Sequence, residues 1–499
     1  MGKMASIESN DSQAHAVLQD IAKRAMLKRG LLPDFSAKAI AELGKIQAPS
    51  AIDGVKARDL RDLSWASIDN DDSRDLDQLT AAVAISDDNV KILVAVADVD
   101  ALVKNGSALD EQARHNTTSV YTAAQTFPML PEKLSTNLTS LNLDQDRMAI
   151  VVEIVVGADG SVLDSAIFRA LVRNHAKLAY NSVAAWLEGR IDTPLEISAV
   201  DGLAENLRLQ DRAAQSMKNS RHAHGALCLE TIEAKPIFEG DSIVDLQAEE
   251  KNRAKDIIED FMIAANGVTV RYLSSRKIPS IRRVVRTPRR WERIVEIAAQ
   301  HGSMLSKNPD SRALEKFLIR EKAADPLRFP DLSLAIIKLL GAGEYIAELP
   351  GESTGHFGLA VKDYAHSTAP NRRYADLITQ RLLKAAIDGR PMPYTKDELD
   401  DLATHCTEKE DAANKVERQV GKSAAALILG KRIGEQFDAL VTGASVKGTW
   451  VRLLDIPIEG MLKNGAYGID VGDRIRVQLI SVEVERGFID FRRVGPRRH

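Results

Sequence analysis

Apolar residues recur at helical spacing near the start of the chain. Ala14, Leu18, Ile21, Ala22 and Ala25 stand three to four positions apart and share one face of a 3.6-residue helix. Leu31-Leu32-Pro33 breaks the pattern, and a second helix from Ser36 carries Ala39, Ile40 and Leu43 on one face. Residues 1–50 therefore read as a small helical segment of helix-turn-helix character. The texture then changes. The β-compatible runs 79–85 (LTAAVAI) and 90–99 (VKILVAVADV) flank Ser86-Asp87-Asp88-Asn89, which reads as a hairpin turn. The stretch 149–172 repeats the theme around Ala158-Asp159-Gly160. Helical patterns follow at 246–275, 288–301, 311–324 and 373–388. Strands early and helices late predict an α+β domain over 51–433, with a helical stretch at 404–435 closing it. In 437–463 and 472–494 short alternating strands with glycine-bearing turns return. They predict a five-stranded OB-type barrel over 434–499.

Composition adds little to this picture. At 499 residues the chain has room for several cores, and its 44% hydrophobic and 28% charged residues are those of a globular protein. No apolar run approaches the roughly 20 residues that cross a bilayer, and the N-terminus has no signal-like apolar stretch. Cys228 and Cys406 stand far apart with no ligand spacing, which fits two reduced thiols in a cytoplasmic protein. The net charge of −4 argues against nucleic acid only if charge is spread evenly, and it is not. Basic residues cluster at Arg282, Arg283, Arg286, Arg289 and Arg290, at Arg372 and Arg373, and at Arg492, Arg493, Arg497 and Arg498. Acidic ones crowd at Asp69–Asp77 and Glu408–Asp411. Such segregation suits a protein that holds a polyanion and also holds cations.

The acidic cluster carries the chemistry. Asp69, Asp71, Asp72, Asp75 and Asp77 lie within nine positions, so they need solvent, cations or protonation to coexist. A calcium EF-hand is excluded, because Arg74 stands where glycine is required and Thr80 where glutamate is expected. Oxygen donors without His or Cys point to Mg²⁺, with Mn²⁺ as the alternative. Hard divalent ions on carboxylates serve water attack on phosphodiesters.

The segment DLRDLSWASIDNDDSRDLDQL resembles the opening motif of the RNB catalytic domain of the ribonuclease II/ribonuclease R family, in which four aspartates follow the pattern I-D-x₅-D-x-D-D. Asp69, Asp75 and Asp77 occupy the first three places, and Gln78 stands in the fourth. A neutral carbonyl there removes one negative charge from the implied metal set. Further blocks continue the resemblance in order, from about residue 55 to 495. FPMLPEKLSTNLTSLNLDQDRMAIVVEI (127–154) follows, and Tyr121, seven residues before Pro128, matches an aromatic that stacks on a base. Tyr180 matches a tyrosine holding the 3′-terminal nucleotide. Arg221 in RHAHGAL matches a position near the RNA path, and Glu259 a glutamate at the terminal ribose. His222 and His224, a His-x-His pair in that block, read as structural. Pro236 falls where the family has a second stacking aromatic, with Phe238 two residues on.

HFGLAVKDYAHSTAPNRRYADL (356–377) is similar to the longest family signature, with Ala369 and Asn371 replacing Ser and Ile and both Arg372 and Arg373 kept. A guanidinium binds phosphate oxygens in pairs and stays charged, so Arg372 suits the scissile phosphate; its alternative is a helix-start pairing with Asp376. Glu417 matches one more position near the RNA, and the C-terminal barrel resembles an S1-type RNA-binding domain. There Trp450 either stacks on a base or fills the barrel.

What the resemblance implies is Mg²⁺-dependent hydrolysis of single-stranded RNA from its 3′ end to nucleoside 5′-monophosphates, in RNA turnover. Asp77 and Arg372 would act at the phosphate, and Asp69, Asp75, Asp77 and Gln78 toward metal. Tyr121, Tyr180, Arg221, Glu259, Arg373 and Glu417 would contact the RNA. Neither a membrane nor a protein partner is called for. The pair of cold-shock domains of better-known members has no counterpart in the sequence, and the helical segment 1–50 stands in that place. Two rivals remain at this stage. One is a catalytically weak RNA binder on the same scaffold, which Gln78 and Pro236 would favour. The other is an endonuclease on structured RNA.

Overall fold

The computed structural model describes residues 14–50, 56–85, 89–230, 233–239, 242–249, 251–456 and 458–495, with backbone alone for 233–239 and 242–249. The first nine strands are β1 (Arg58–Asp59), β2 (Ala66–Asp69), β3 (Gln78–Ala84), β4 (Val90–Ala97), β5 (Val120–Tyr121), β6 (Thr126–Phe127), β7 (Asp146–Val156), β8 (Val162–Arg173) and β9 (Ala176–Ala179). Seven of them form one mixed sheet in the order β1-β8-β7-β4-β3-β2-β9, and β5 pairs with β6 separately. The central ladders β3/β4, β4/β7 and β7/β8 are antiparallel, whereas β1/β8 and β2/β9 are parallel.

The central strands are apolar almost throughout because helices cover the sheet. Ala213, Ala214 and Met217 of helix Leu203–Ala223, Phe261 and Ala265 of helix Arg253–Ser275, and Leu377 and Leu382 of helix Tyr374–Asp388 share its core. The β7–β8 turn needs its glycine: Gly160 has φ +77°, and a Cβ there would sit 2.1 Å from the Ser216 carbonyl oxygen. The turn at 86–88 lies outside the described residues.

The helix expected from 246 begins only at Arg253. Residues Ser242–Glu249 are a strand (β11) paired with β10 (Glu233–Glu239). Asn252 caps the helix, its side chain accepting from the Lys255 amide. Helices Trp291–Gln300, Ser311–Ala324 and Phe329–Leu340 build a satellite core. Two short strands, β12 (Ser280–Val284) and β13 (Glu344–Glu348), bracket that region. A long helix, Lys396–Leu429, starts with a Thr395/Glu398 capping box and ends at the barrel.

The barrel closes in the order β14-β15-β16-β18-β17, from β14 (Gln436–Ser445), β15 (Gly448–Leu453), β16 (Glu459–Asn464), β17 (Arg474–Glu483) and β18 (Phe488–Val494). Val471 packs in the satellite core, and Arg293 donates to the Val471 carbonyl at 2.7 Å. Glu459 fastens the barrel to the rest: Lys422 stands 3.3 Å and Lys338 3.6 Å from its carboxylate, and Thr442 donates to it at 2.7 Å. Burial would raise its pKa, but the two lysines and the hydroxyl override this and hold it at about 2. A depressed folded pKa gives stability that is present above the ordinary value and lost as the pH falls through the folded one. Glu459→Gln is therefore expected to cost about 2–3 kcal/mol at pH 7. In urea titrations the difference from wild type should shrink as the pH drops from about 4.5 toward 2.

The N-terminal helices lie where their apolar faces predict. Leu18, Ile21, Ala22, Ala25 and Met26 of helix Ala14–Lys28 pack with Val120, Ala124 and Phe127 and with Val416 and Val420 of the long helix. Helix Ala37–Lys45 is capped by Ser36.

Candidate nucleic-acid and catalytic site

The acidic segment is a loop between two neighbouring strands, fixed on both sides. Asp69 ends β2 and is in register with Ala179, the residue before Tyr180. Gln78 begins β3, and the Ala97 amide at the end of β4 donates to the Asp77 carbonyl at 2.9 Å. The loop is tied to the following sequence block: the Leu76 amide donates to Ser140 Oγ at 3.0 Å, and the Leu141 amide to the Leu76 carbonyl at 3.0 Å. A third block closes over it. The Asn371 amide donates to Asp77 Oδ1 at 3.0 Å, and Arg372 Nε to Oδ2 at 3.2 Å. Thr139 joins the second and third blocks by donating to Asn371 Oδ1 at 2.6 Å.

Burial sets the electrostatics here. The Asp77 side chain is 1% exposed, and that of Arg372 is 41% exposed. Desolvation pushes the Asp77 carboxyl up to about 7, with Asp75 and Asp376 adding repulsion and with Arg372 and the Asn371 amide opposing. Asp75 is also raised, by burial first, then by Asp69 and Asp72 against Arg372. Arg372 is correspondingly held charged by Asp77, Asp69 and Asp75, against its partial desolvation. One guanidinium thus faces three carboxylates, an excess of negative charge that invites a further cation. The donors are all oxygen, which suits a hard divalent ion. Among the described residues, however, no three His, Cys, Asp or Glu side chains are grouped so as to hold a metal. Asp77 Oδ2 accepts one bond from Arg372 and keeps a second lone pair.

Aromatic and polar groups frame this pair. The turn before helix Tyr374–Asp388 zips onto residues 117–119: the Ser119 amide donates to the Arg372 carbonyl at 3.0 Å, and the Tyr374 amide to the Thr117 carbonyl at 2.7 Å. That places Tyr121, 46% exposed, beside Arg372; desolvation, with Asp75 and Asp77, raises the phenol pKa against the charge of Arg372. Glu417 on the long helix accepts from the Tyr121 amide at 2.7 Å. Tyr180 opens helix Tyr180–Leu187, with Lys255 Nζ 6.0 Å from its ring centroid. Glu259, exposed, lies one turn after Lys255 on helix Arg253–Ser275, and its charge is felt at Tyr364.

The two arginines divide their work. Arg373, not Arg372, pairs with Asp376, at 2.8 Å, and the same carboxylate oxygen accepts from the Ala369 amide at 2.8 Å. Arg221 is bonded to the buried Asp260, and no described contact joins it to Asp77 or Arg372. His222 and His224 are structural: His222 Nδ1 meets Glu315 at 2.8 Å, and His224 Nδ1 meets the Ser220 carbonyl at 2.7 Å. The side chains of Pro236 and Phe238 lie outside the described residues. Trp450 is absent from the barrel core and lines an outer groove.

Sequence reading missed the layer behind the site. His356, Tyr364, His366 and Tyr345 form a run of edge-to-face rings with centroids 5.6–5.7 Å apart. Tyr345 Oη lies 2.8 Å from His366 Nδ1. Burial and the charge of Arg373 hold the His366 imidazole far below its usual pKa, so it is neutral. Asp98, Asp100 and Asp110 bind Lys384 and Arg381 at 2.6–3.1 Å, pinning the helix that follows Arg373. The signal was the spacing of Gln380, Arg381 and Lys384, polar residues on a helix whose both sides are buried.

Residues 57–389 match the RNB domain family, two thirds of the chain. The chain belongs to the RNB family. Residues 435–494 match the RNase II-type exonuclease C-terminal S1 domain. Among relatives of the RNB chain, ribonuclease R of Escherichia coli is 30% identical over 478 residues, covering 88% of this chain and 58% of its own length. Ribonuclease R of Vibrio parahaemolyticus is 29% identical over 502 residues, covering 93% and 59%. The chain thus spans somewhat under three fifths of these relatives. The fold is similar to that of Mycoplasma genitalium RNase R in complex with ribose methylated single-stranded RNA, with a TM-score of 0.85 at 22% identity over 95% of this chain and 77% of that one. It is also similar to yeast Ssd1, a pseudonuclease, with a TM-score of 0.70 at 16% identity over 89% and 55%. No helix among the described residues is long and apolar enough to cross a membrane.

Proposed function

We propose that this RNB protein is a cytoplasmic 3′-to-5′ exoribonuclease that hydrolyses single-stranded RNA to nucleoside 5′-monophosphates in RNA turnover, with Mg²⁺ as its metal and Mn²⁺ as an alternative. The division into a helical segment (1–50), a catalytic domain (51–433) and an S1-type RNA-binding domain (434–499) belongs to this reading. The observation that carries it is the buried Asp77 carboxylate held 3.2 Å from a half-exposed Arg372 at the meeting point of three sequence blocks. Arg372 draws the Asp77 carboxyl toward the charged form that burial alone disfavours.

Asp69, Asp75, Asp77 and the Gln78 carbonyl are the groups that would hold the metal. When bound, such an ion lowers the pKa of water and neutralises phosphate charge. The remaining work falls to side chains. The Arg372 guanidinium, bound to Asp77 through Nε alone, offers its remaining donors to the scissile phosphate and balances the charge that builds on it. Tyr121 offers a ring face to a base, and Glu417 fixes the backbone that carries it. Tyr180 and Glu259 would hold the terminal nucleotide, with a ribose hydroxyl distinguishing RNA from DNA. Arg373 acts by holding Asp376 and the turn that aims Arg372, and Arg221 contributes by fixing the helix of Glu259 through Asp260.

The test is incubation of the whole protein with 3′-labelled single-stranded RNA and Mg²⁺. Labelled nucleoside 5′-monophosphate is expected, and tight binding without any release would sink the enzyme reading in favour of an RNA-binding scaffold. Gln78 adds a graded prediction. Gln78→Asp adds one carboxylate and should lower the half-saturating Mg²⁺ concentration by roughly tenfold, in line with the 10–100-fold tuning seen when groups around a metal are changed. Titration of activity against Mg²⁺ measures this, and an unchanged midpoint would place Gln78 outside the metal set.

A further inference from the structure

A groove of 520 Å³ opens where helix Ala14–Lys28, the long helix Lys396–Leu429 and the barrel meet. Its described lining carries seven cationic side chains against one carboxylate, Asp490. Three of the cations are spent: Lys422 on Glu459, Lys463 on Asp490 and Arg486 on Glu483. The other four, Lys28, Arg29, Lys415 and Arg418, have no carboxylate within ion-pair distance among the described residues. Two come from the N-terminal segment and two from one stripe of the long helix. Gln419 and Lys422 continue that stripe at helical spacing. On the barrel side Trp450 and the 51%-exposed Phe488 present rings.

The N-terminal helix is fixed in this position. Arg24 grips Glu485 with both carboxylate oxygens engaged, at 2.9–3.2 Å, tying the helix to the β17–β18 loop. Lys409 Nζ donates to the Gly30 carbonyl at 2.5 Å, tying its end to the long helix. The same helix packs beneath Val120, next to Tyr121. Glu417, which holds the Tyr121 amide, stands beside Arg418 on the long helix. The groove therefore shares the long helix with the Tyr121 segment, which Glu417 holds from another face of that helix.

We infer that Lys28 and Arg29 of the N-terminal helical segment form, with Lys415 and Arg418, a phosphate track that guides the RNA strand from the barrel to the catalytic site. This rests on the exonuclease reading for its direction, but the binding it asserts can be measured apart from catalysis. Unpaired cations facing one another across a groove attract a polyanion and release its counterions, and flanking rings take bases without regard to sequence.

The test is equilibrium binding in EDTA, by fluorescence anisotropy, of single-stranded RNAs of about 5 and about 16 nucleotides, lengths that bracket the span of one OB domain. Lys28→Ala/Arg29→Ala should weaken binding of the longer RNA by about tenfold at 0.1 M salt and reduce its log–log salt slope by about 1.4. The shorter RNA, seated at the catalytic end, should shift by less than about twofold. Lys415→Ala/Arg418→Ala on the opposite wall should reproduce the pattern, which guards against misfolding of one variant. Equal losses on both lengths, or none on the longer, would overturn the track. If wild type releases no mononucleotide yet shows the length-dependent loss, the track stands and the exonuclease reading falls.

Discussion

Asp77→Asn lowers the single-turnover rate of RNA shortening by about 10³-fold or more while RNA affinity holds or rises, the range expected when a preorganised electrostatic group is removed. The carboxamide is isosteric, and its oxygen still accepts from the Asn371 amide, so the turn of the third block persists. Its nitrogen faces Arg372 Nε donor to donor, which frees the guanidinium rather than anchoring it. What is lost is the charge of the best-buried carboxylate of the cluster. The polyanion meets one negative charge fewer, so binding does not suffer. Rates within tenfold of wild type would show that Asp77 is a structural carboxylate. Binding lost in step with rate would show that the turn has collapsed.

Arg372→Lys lowers kcat and kcat/KM together, by about 10²–10³-fold, with KM changing little. The ammonium keeps the charge but has no planar fork, so paired donation to phosphate oxygens ends. An equal fall in both constants is the signature of an interaction made only in the transition state. A rise in KM at constant kcat would instead make Arg372 a ground-state phosphate contact. Arg373 supplies the contrast, since it is bound to Asp376 behind the turn and shapes the site only through it.

Much of this architecture was legible in the chain. Helix Ser311–Ala324 and the β7–β8 hairpin follow their patterns closely, because one face is apolar and the turns carry the required glycine or cap. The strand Ser242–Glu249 did not read as one, since its mixed polar sequence runs straight into a capped helix and lacks a breaker. Asp69, Asp77 and Arg372 were recognisable from blocks of sequence, and the resemblance implied that Asp77 and Arg372 meet at one phosphate; residue patterns alone could not bring together groups 295 positions apart.

Linear clustering of basic residues does not mark free cations. Arg282, Arg283, Arg286 and Arg290 are engaged with Glu348, Glu410, Glu344 and Asp470. The groove cations without a carboxylate partner among the described residues come in twos from distant segments and form no conspicuous run. The N-terminal helices read only as a small helical segment, but Arg24, Gly30 and the apolar face of one helix join the barrel, the long helix and the Tyr121 segment. A pattern of periodicity finds a helix but not the surfaces it will join.

The central claim is that the Asp77–Arg372 site acts on the free 3′ end of RNA. It is tested most directly by giving wild type and Asp77→Asn one RNA sequence in linear and in covalently circular form, with Mg²⁺, and identifying the products. The expected result is nucleoside 5′-monophosphates from the linear RNA with wild type only, and an intact circle throughout. Cleavage of the circle by wild type, or equal product from the Asp77→Asn protein, would contradict it.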